Sequence, residues 1–182
     1  MYTVIWKRLD QDGHDACRFL RNQDTWIIEG CAVFLRDGTP ANLAYQLVCD
    51  SHWRSLHATV DGWVGAEKID FSIERKNNAW FINKSLREDL AGLEDIDLGF
   101  TPASNTNAIC RLNLSDGFNS GSTAVWLGTE DWTVKPLRRT YNRIGKNAYD
   151  YSSPLHDDRA TLRVNDFGIV TEYPGLWMMI SQ

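Results

Sequence analysis

The chain alternates. Leu56, Ala58 and Val60 are interleaved with His57, Thr59 and Asp61, and Ile69, Phe71 and Ile73 with Asp70, Ser72 and Glu74. Successive side chains of a strand point to opposite faces, so a period of two gathers the apolar members on one face and leaves the other to water. Asp61-Gly62 and Lys76-Asn77-Asn78 punctuate these segments with residues that tolerate left-handed backbone angles, which predicts consecutive antiparallel hairpins. The C-terminal end follows the same rule. Leu162 and Val164 lead into Asn165-Asp166-Phe167-Gly168, then Ile169, Thr171 and Tyr173 return before Pro174-Gly175 ends the pairing.

Helical signals are few. Ser85-Leu-Arg-Glu88 has the spacing of a capping box, with Gly92 placed to close a short helix. A second short helix is expected from Ser104 or Asn105 to Leu112, where a polar cap precedes Ile109 and Leu112 at helical spacing. The expectation is an all-β fold of roughly ten or more short strands arranged as a roll, barrel or sandwich.

At 182 residues the chain suits a single domain over 1–182. Its formal charge of −5, with 19 Lys and Arg scattered along it, offers no basic footprint for nucleic acid, and none is expected as a partner. No apolar run reaches signal-peptide or transmembrane length, so a cytoplasmic protein with no transmembrane segment is expected. Cys17, Cys31, Cys49 and Cys110 show no Cys-x-x-Cys spacing and sit mostly among apolar neighbours, which predicts free, buried thiols in a reducing compartment.

Chemistry concentrates between Asp95 and Leu112, DIDLGFTPASNTNAICRL. On a strand Asp95 and Asp97 share one face while Ile96 and Leu98 take the other, and Pro102 stops the ladder. Two carboxylates on one face repel unless a cation or several donors lie between them, and Arg111, about one helical segment downstream, is the obvious local donor. The same residues resemble the putative glycolipid-binding family, whose signature runs Cys-x-Asp-Val-Asp-Leu-x-x-(Thr or Ser)-Pro-x-Thr-Asn-Thr-Leu-Pro-Ile-Arg-Arg-Leu. Asp95, Asp97, Leu98, Thr101, Pro102, Asn105, Thr106, Ile109, Arg111 and Leu112 match it in register. Tyr45, Asp50, Trp53, Trp80, Trp126, Tyr149-Asp-Tyr151, Gly168-Ile-Val and Tyr173-Pro174 agree around it. The chain departs at Leu93, Ser104, Asn107, Ala108 and Cys110, the last replacing the first of two arginines. The resemblance implies a curled antiparallel sheet, a spiral β-roll or half-barrel similar to lipoprotein carriers. It also implies a lipid-like or glycolipid small molecule as partner, with no cofactor.

Two readings of the signature compete. Asp95, Asp97, Thr101, Asn105, Thr106 and Arg111, with Trp126 and Tyr141, could bind a headgroup, or the polar residues could satisfy one another as a buried network. The same choice applies to the eight tryptophans, because Trp6, Trp26, Trp63, Trp80 and Trp126 serve equally as core or as stacking surface. Arg138 and Arg139, with Tyr141 and Arg143, offer a secondary anion contact on a strand face that is otherwise solvated. Weaker still are zinc ligation by Cys49, His52 and His57, and a base at His156 beside Asp157. No metal and no catalytic residue is expected. The function expected is non-catalytic binding of a small amphiphilic molecule in the concave face of the sheet. The rivals are a hydrolase or isomerase using Asp95 and Asp97, and a protein-interaction module.

Overall fold

The computed structural model describes residues 1–154 and 158–182, so His156 and Asp157 fall outside the described residues. The first arm of the fold contains β1 (Tyr2–Arg8), β2 (Gly13–Asn22), β3 (Thr25–Arg36), β4 (Thr39–Asp50), β5 (Ser55–Val64), β6 (Glu67–Lys76), β7 (Ala79–Ile82) and β8 (Ser85–Arg87). The second contains β9 (Asp95–Leu98), β10 (Asn119–Leu127), β11 (Val134–Gly145), β12 (Ala148–Ser153), β13 (Asp158–Val164), β14 (Val170–Tyr173) and β15 (Trp177–Ser181). Consecutive strands pair within each arm, antiparallel everywhere except β9–β10, and β1 pairs antiparallel with β15, so all fifteen strands form one sheet with β8 and β9 at its edges. The fold is all-β and curled without closing.

Alternation explains the curl. In β2, Asp15, Cys17 and Phe19 face inward while His14, Ala16 and Arg18 face out. β4, β5 and β6 repeat the pattern with Leu43, Tyr45 and Leu47, with Ala58 and Val60, and with Ile69 and Ile73. One apolar face this long must wrap around itself to leave water. Several strands reach ten to twelve residues, longer than the short strands expected.

The turn chemistry holds at Asn77 and Asn78, both at positive φ (52° and 64°) between β6 and β7. It fails at Asp61-Gly62. β5 runs through that pair, and the chain turns at Gly65 instead. Gly62 answers a different need: a Cβ there would lie 1.9 Å from the Asn42 carbonyl oxygen of the neighbouring strand. The capping-box reading of Ser85–Glu88 is also corrected. Ser85–Arg87 pair with β7, and only a single 3-10 turn, Glu88–Leu90, follows.

The parallel pair β9–β10 requires a crossover, and that crossover fills the roll. After β9, Thr101 begins a 3-10 turn over Pro102–Ser104 that runs directly into α1 (Asn105–Leu112). Residues 100–109 are all buried, including the polar Ser104, Asn105, Thr106 and Asn107. The helix is where the sequence placed it, but its cap differs. Ser104 makes no cap bond, and the Thr101 oxygen accepts the Ala103 N–H instead.

A serine joins the two arms where the sheet does not. The Ser55 N–H donates to the Glu94 carbonyl (2.9 Å), and its Oγ accepts from the Ile96 N–H (2.9 Å) and from Asn107 Nδ2 (3.0 Å). One buried hydroxyl thus satisfies edge strand β9 and the crossover together, which leaves that edge no open ladder. Ser55→Ala strands the Ile96 N–H and leaves Asn107 Nδ2 only a long 3.4 Å bond to the Ile96 carbonyl, and should cost about 1–3 kcal/mol in urea unfolding. A loss below about 0.5 kcal/mol would mean that Ser55 does not hold the seam.

Candidate functional site

Asp95 and Asp97 lie side by side on β9 and are both buried. Arg111 grips Asp95 in a bidentate pair, Nε to Oδ1 at 2.6 Å and Nη2 to Oδ2 at 2.8 Å, and reaches Glu94 at 3.0 Å. It does not neutralise Asp97. That work falls to Arg139 on β11, which is fully buried and donates Nη1 to Asp97 Oδ2 (2.6 Å) and Nη2 to Asp95 Oδ2 (3.3 Å). Ser122, opposite Arg139 in the β10–β11 ladder, donates to Asp95 Oδ2, and Ser104 donates to Asp97 Oδ1 at 3.1 Å. Burial alone would raise the pKa of Asp95. The Arg111 hydrogen bonds and the two guanidinium charges outweigh it and hold the carboxyl below its ordinary value.

A second buried carboxylate has no such help. Asp15 on β2 accepts from the Tyr45 hydroxyl (2.8 Å) and from Thr101 Oγ1, both at Oδ2. Its Oδ1 has no hydrogen-bond partner among the described residues. Tyr45 reaches across β3 because Gly30 lies beneath it, where a Cβ would stand 2.6 Å from the Tyr45 oxygen. Burial pushes Asp15 up to about 6, against the two hydroxyls that lower it.

A cleft of about 570 or 550 Å³ is the size of two polar hollows of the surface, and only the latter meets the signature. Asp97, Thr101, Pro102 and Asn105 line it, with Trp126, Leu137, Tyr151, Ser153, Tyr173 and Trp177 from the surrounding sheet and turns. The Asn105 Oδ1 accepts from the Tyr141 hydroxyl at 2.9 Å, while its Nδ2 has only a long 3.5 Å contact to the Pro102 carbonyl. The Ser153 hydroxyl is buried and has no partner among the described residues. A larger groove, about 740 Å³, crosses the outer face over Ile5, Ala16, Cys31 and Ala44. Its greater size does not make it the better site, because it carries none of the signature residues.

The structure therefore divides the residues singled out by sequence. Asp97, Thr101, Asn105 and Trp126 meet at the cleft. Asp95 and Arg111 belong to the ion network, Tyr141 supports Asn105 from the core, and Thr106 is buried with its hydroxyl unpartnered among the described residues. Arg139 faces inward to the carboxylates, whereas Arg138 is exposed and Arg143 donates to the carbonyls of Leu114, Gly145 and Lys146. Asp15, Ser55, Ser122 and Ser153 are the buried polar residues around the site that sequence reasoning missed. The one signal for Asp15 is its inward parity with Cys17 and Phe19. Trp6 and Trp80 are core, Trp26 stacks on Trp53 at 4.5 Å, and Trp63 is exposed. Among the described residues no His, Cys, Asp and Glu group could hold a metal. All four cysteines are free, but Cys31 is exposed rather than buried, because its parity in β3 turns it outward.

This architecture, a spiral β-roll whose crossover fills its own interior, defines the class. The chain belongs to the putative glycolipid-binding family, whose model matches residues 3–178. It is similar in fold to the crystal structure of a DUF1089-family protein from Pseudomonas aeruginosa, with a TM-score of 0.77, 24% identity, and coverage of 90% of this chain and 91% of that one. No curated protein matches it.

Removing Arg139 leaves both carboxylates of β9 under-neutralised, so Arg139→Met should cost about 3–5 kcal/mol in urea unfolding. Arg111→Ala should cost less, about 1–3 kcal/mol, since Arg139 and Ser122 still hold Asp95. Equal losses would show that the network has no centre. The depressed pKa of Asp95 also fixes a sign: its contribution is present above the unfolded value of 3.8 and is lost as pH falls through the folded value. Asp95→Asn should therefore flatten the acid limb of a stability–pH curve below about pH 4.

Proposed function

We propose that the protein binds the glycosyl headgroup of an amphiphilic molecule in the cleft beside the signature. The observation that carries this reading is the combination of rings from Trp126, Tyr151, Tyr173 and Trp177 with polar atoms of Asp97, Asn105 and Ser153 around one cavity. Aromatic faces suit the C–H surface of a sugar ring, while a carboxylate accepts hydroxyl protons and an amide or hydroxyl returns them. The family's description points the same way. Binding falls beside the crossover, because the concave interior is itself filled by residues 100–109. A hydrolase or isomerase using Asp95 with Asp97 draws no support from this geometry, since Asp95 is sealed in its ion pairs away from the cleft. Four free cysteines suit a reducing compartment such as the cytoplasm.

Octyl glucoside below its micellar concentration is a suitable probe, titrated calorimetrically against octyl phosphate. Saturable binding of the glycoside alone is expected. Ser153→Ala removes a hydroxyl with no partner among the described residues, so it should leave stability within about 0.5 kcal/mol yet weaken the glycoside roughly 3- to 10-fold. Unchanged affinity in that variant, or preference for the phosphate, would overturn the proposal.

A further inference from the structure

Asp15 Oδ2, Thr101 Oγ1 and Tyr45 Oη form a triangle of oxygens. Tyr45 lies 2.8 Å from Asp15 and 3.2 Å from Thr101, and Thr101 contacts Asp15 directly. The protonation state of the carboxyl decides how many edges are bonded. A neutral carboxyl brings a third proton, so Asp15 can donate to Thr101, Thr101 to Tyr45 and Tyr45 back to Asp15, which satisfies every edge. An ionised carboxylate draws both hydroxyl protons onto itself. The edge between Tyr45 and Thr101 then has no proton, and charge rests on Oδ1, which is buried and unpartnered among the described residues.

Among the described residues the surroundings offer no cation in compensation. Asp15 is flanked in the ladder by Trp6 of β1 and Ala32 of β3. The ionisable groups that share its field are Cys17, Cys31 and Tyr45, all pushed upward by burial and so neutral near neutral pH. Glu29 and Arg18, on the outer face, pair with each other. Water is the remaining way to solvate the charge, and it can enter only if one corner of the triangle moves. Asp15 and Tyr45 are fixed in central strands, whereas Thr101 stands at the start of the crossover, where its Oγ1 also caps Ala103.

We propose that Asp15 is a proton-operated latch: neutral, it holds the start of the crossover against the sheet through Thr101, and ionised, it releases that hold. Thr101 and Pro102 also line the cleft, so the latch would regulate headgroup binding. That last step rests on the reading of the cleft given above, whereas the latch itself does not.

The sign follows from burial. Asp15 has a folded pKa of about 6 against 3.8 for the free carboxyl, so the stabilisation is complete below about pH 4 and is lost as pH rises through 6. Over that interval the folding equilibrium should weaken on the order of a hundredfold. Asp15→Asn, which cannot ionise, should lack this component when both proteins are melted in urea from pH 4 to 8. The difference between them isolates Asp15 from Asp95 and the other carboxylates. Amide exchange protection of residues 99–105, measured without any ligand, should fall with the same midpoint in the wild type and stay level in the variant. Should Asp15→Asn not fold, the ¹³C carboxyl resonance of Asp15 in the wild type gives the midpoint directly. A midpoint below about 4.5, or exchange protection that ignores a midpoint near 6, would overturn the latch. Failure of octyl glucoside to bind would overturn only the regulation of the cleft. If the glycoside binds, its affinity should change across the same pH interval in the wild type alone, and a parallel change in Asp15→Asn would overturn that regulation.

Discussion

Arg139 bridges two carboxylates, one sealed from water and the other open only at the edge of the cleft. Asp95 and Asp97 share one face of a four-residue strand, and that strand opens the segment which fills the roll. Without cations between them, β9 could not lie against β10 with both side chains buried. Arg139 comes from the sheet and Arg111 from the helix at the other end of the crossover, so a single ionic network fixes where the segment enters and where it leaves. Ser55 adds the third anchor from the opposite arm. The interior of this protein is therefore set as much by charge and hydrogen bonding as by apolar packing.

That arrangement explains how a polar segment can serve as core. Ser104, Asn105 and Asn107 each find hydrogen-bond partners within reach of the crossover, which offsets much of the cost of burying them. The apolar members, Phe100, Ala103, Ala108 and Ile109, complete the packing against the sheet. Among the described residues the buried side-chain atoms without a partner include Thr106 Oγ1, Asn107 Oδ1 and Arg139 Nε within the crossover and its network, and Asp15 Oδ1 and the Ser153 hydroxyl beside it. The last two are the atoms on which proton coupling and binding are proposed to act, because an unpartnered polar group has interactions left to give.

The legible part of the fold was the local part. Period-two alternation identified β5 and β6, the paired asparagines located the turn from β6 to β7, and helical spacing located α1. Ser85-Leu-Arg-Glu88 misled because a capping box and a short strand can use the same residues, and pairing with β7 decides between them. The ion network was half legible. Arg111 is 16 residues from Asp95, one helical segment downstream, whereas Arg139 is 42 residues from Asp97 and becomes its partner only when β10 and β11 are laid beside β9. Ser55 reaches Ile96 over 41 residues, and Asp15 reaches Thr101 over 86. Nothing in local pattern marks such pairs, since the curl of the sheet creates them.

The pairing of β1 with β15 has a consequence for how the molecule is made. β1 is made before the rest of this sheet and finds its second neighbour only in β15, so the centre of the sheet stays unzipped until residues 177–181 have been made. Until then β1 presents a bare edge of backbone donors and acceptors, flanked outward by Ile5. The earlier arm can form by successive local hairpins, but joining it to the later one is a long-range event with a large loop-closure cost. Assembly of this roll is thus expected to be fast within each arm and slow at the centre, with the exposed edge of β1 as its most aggregation-prone interval.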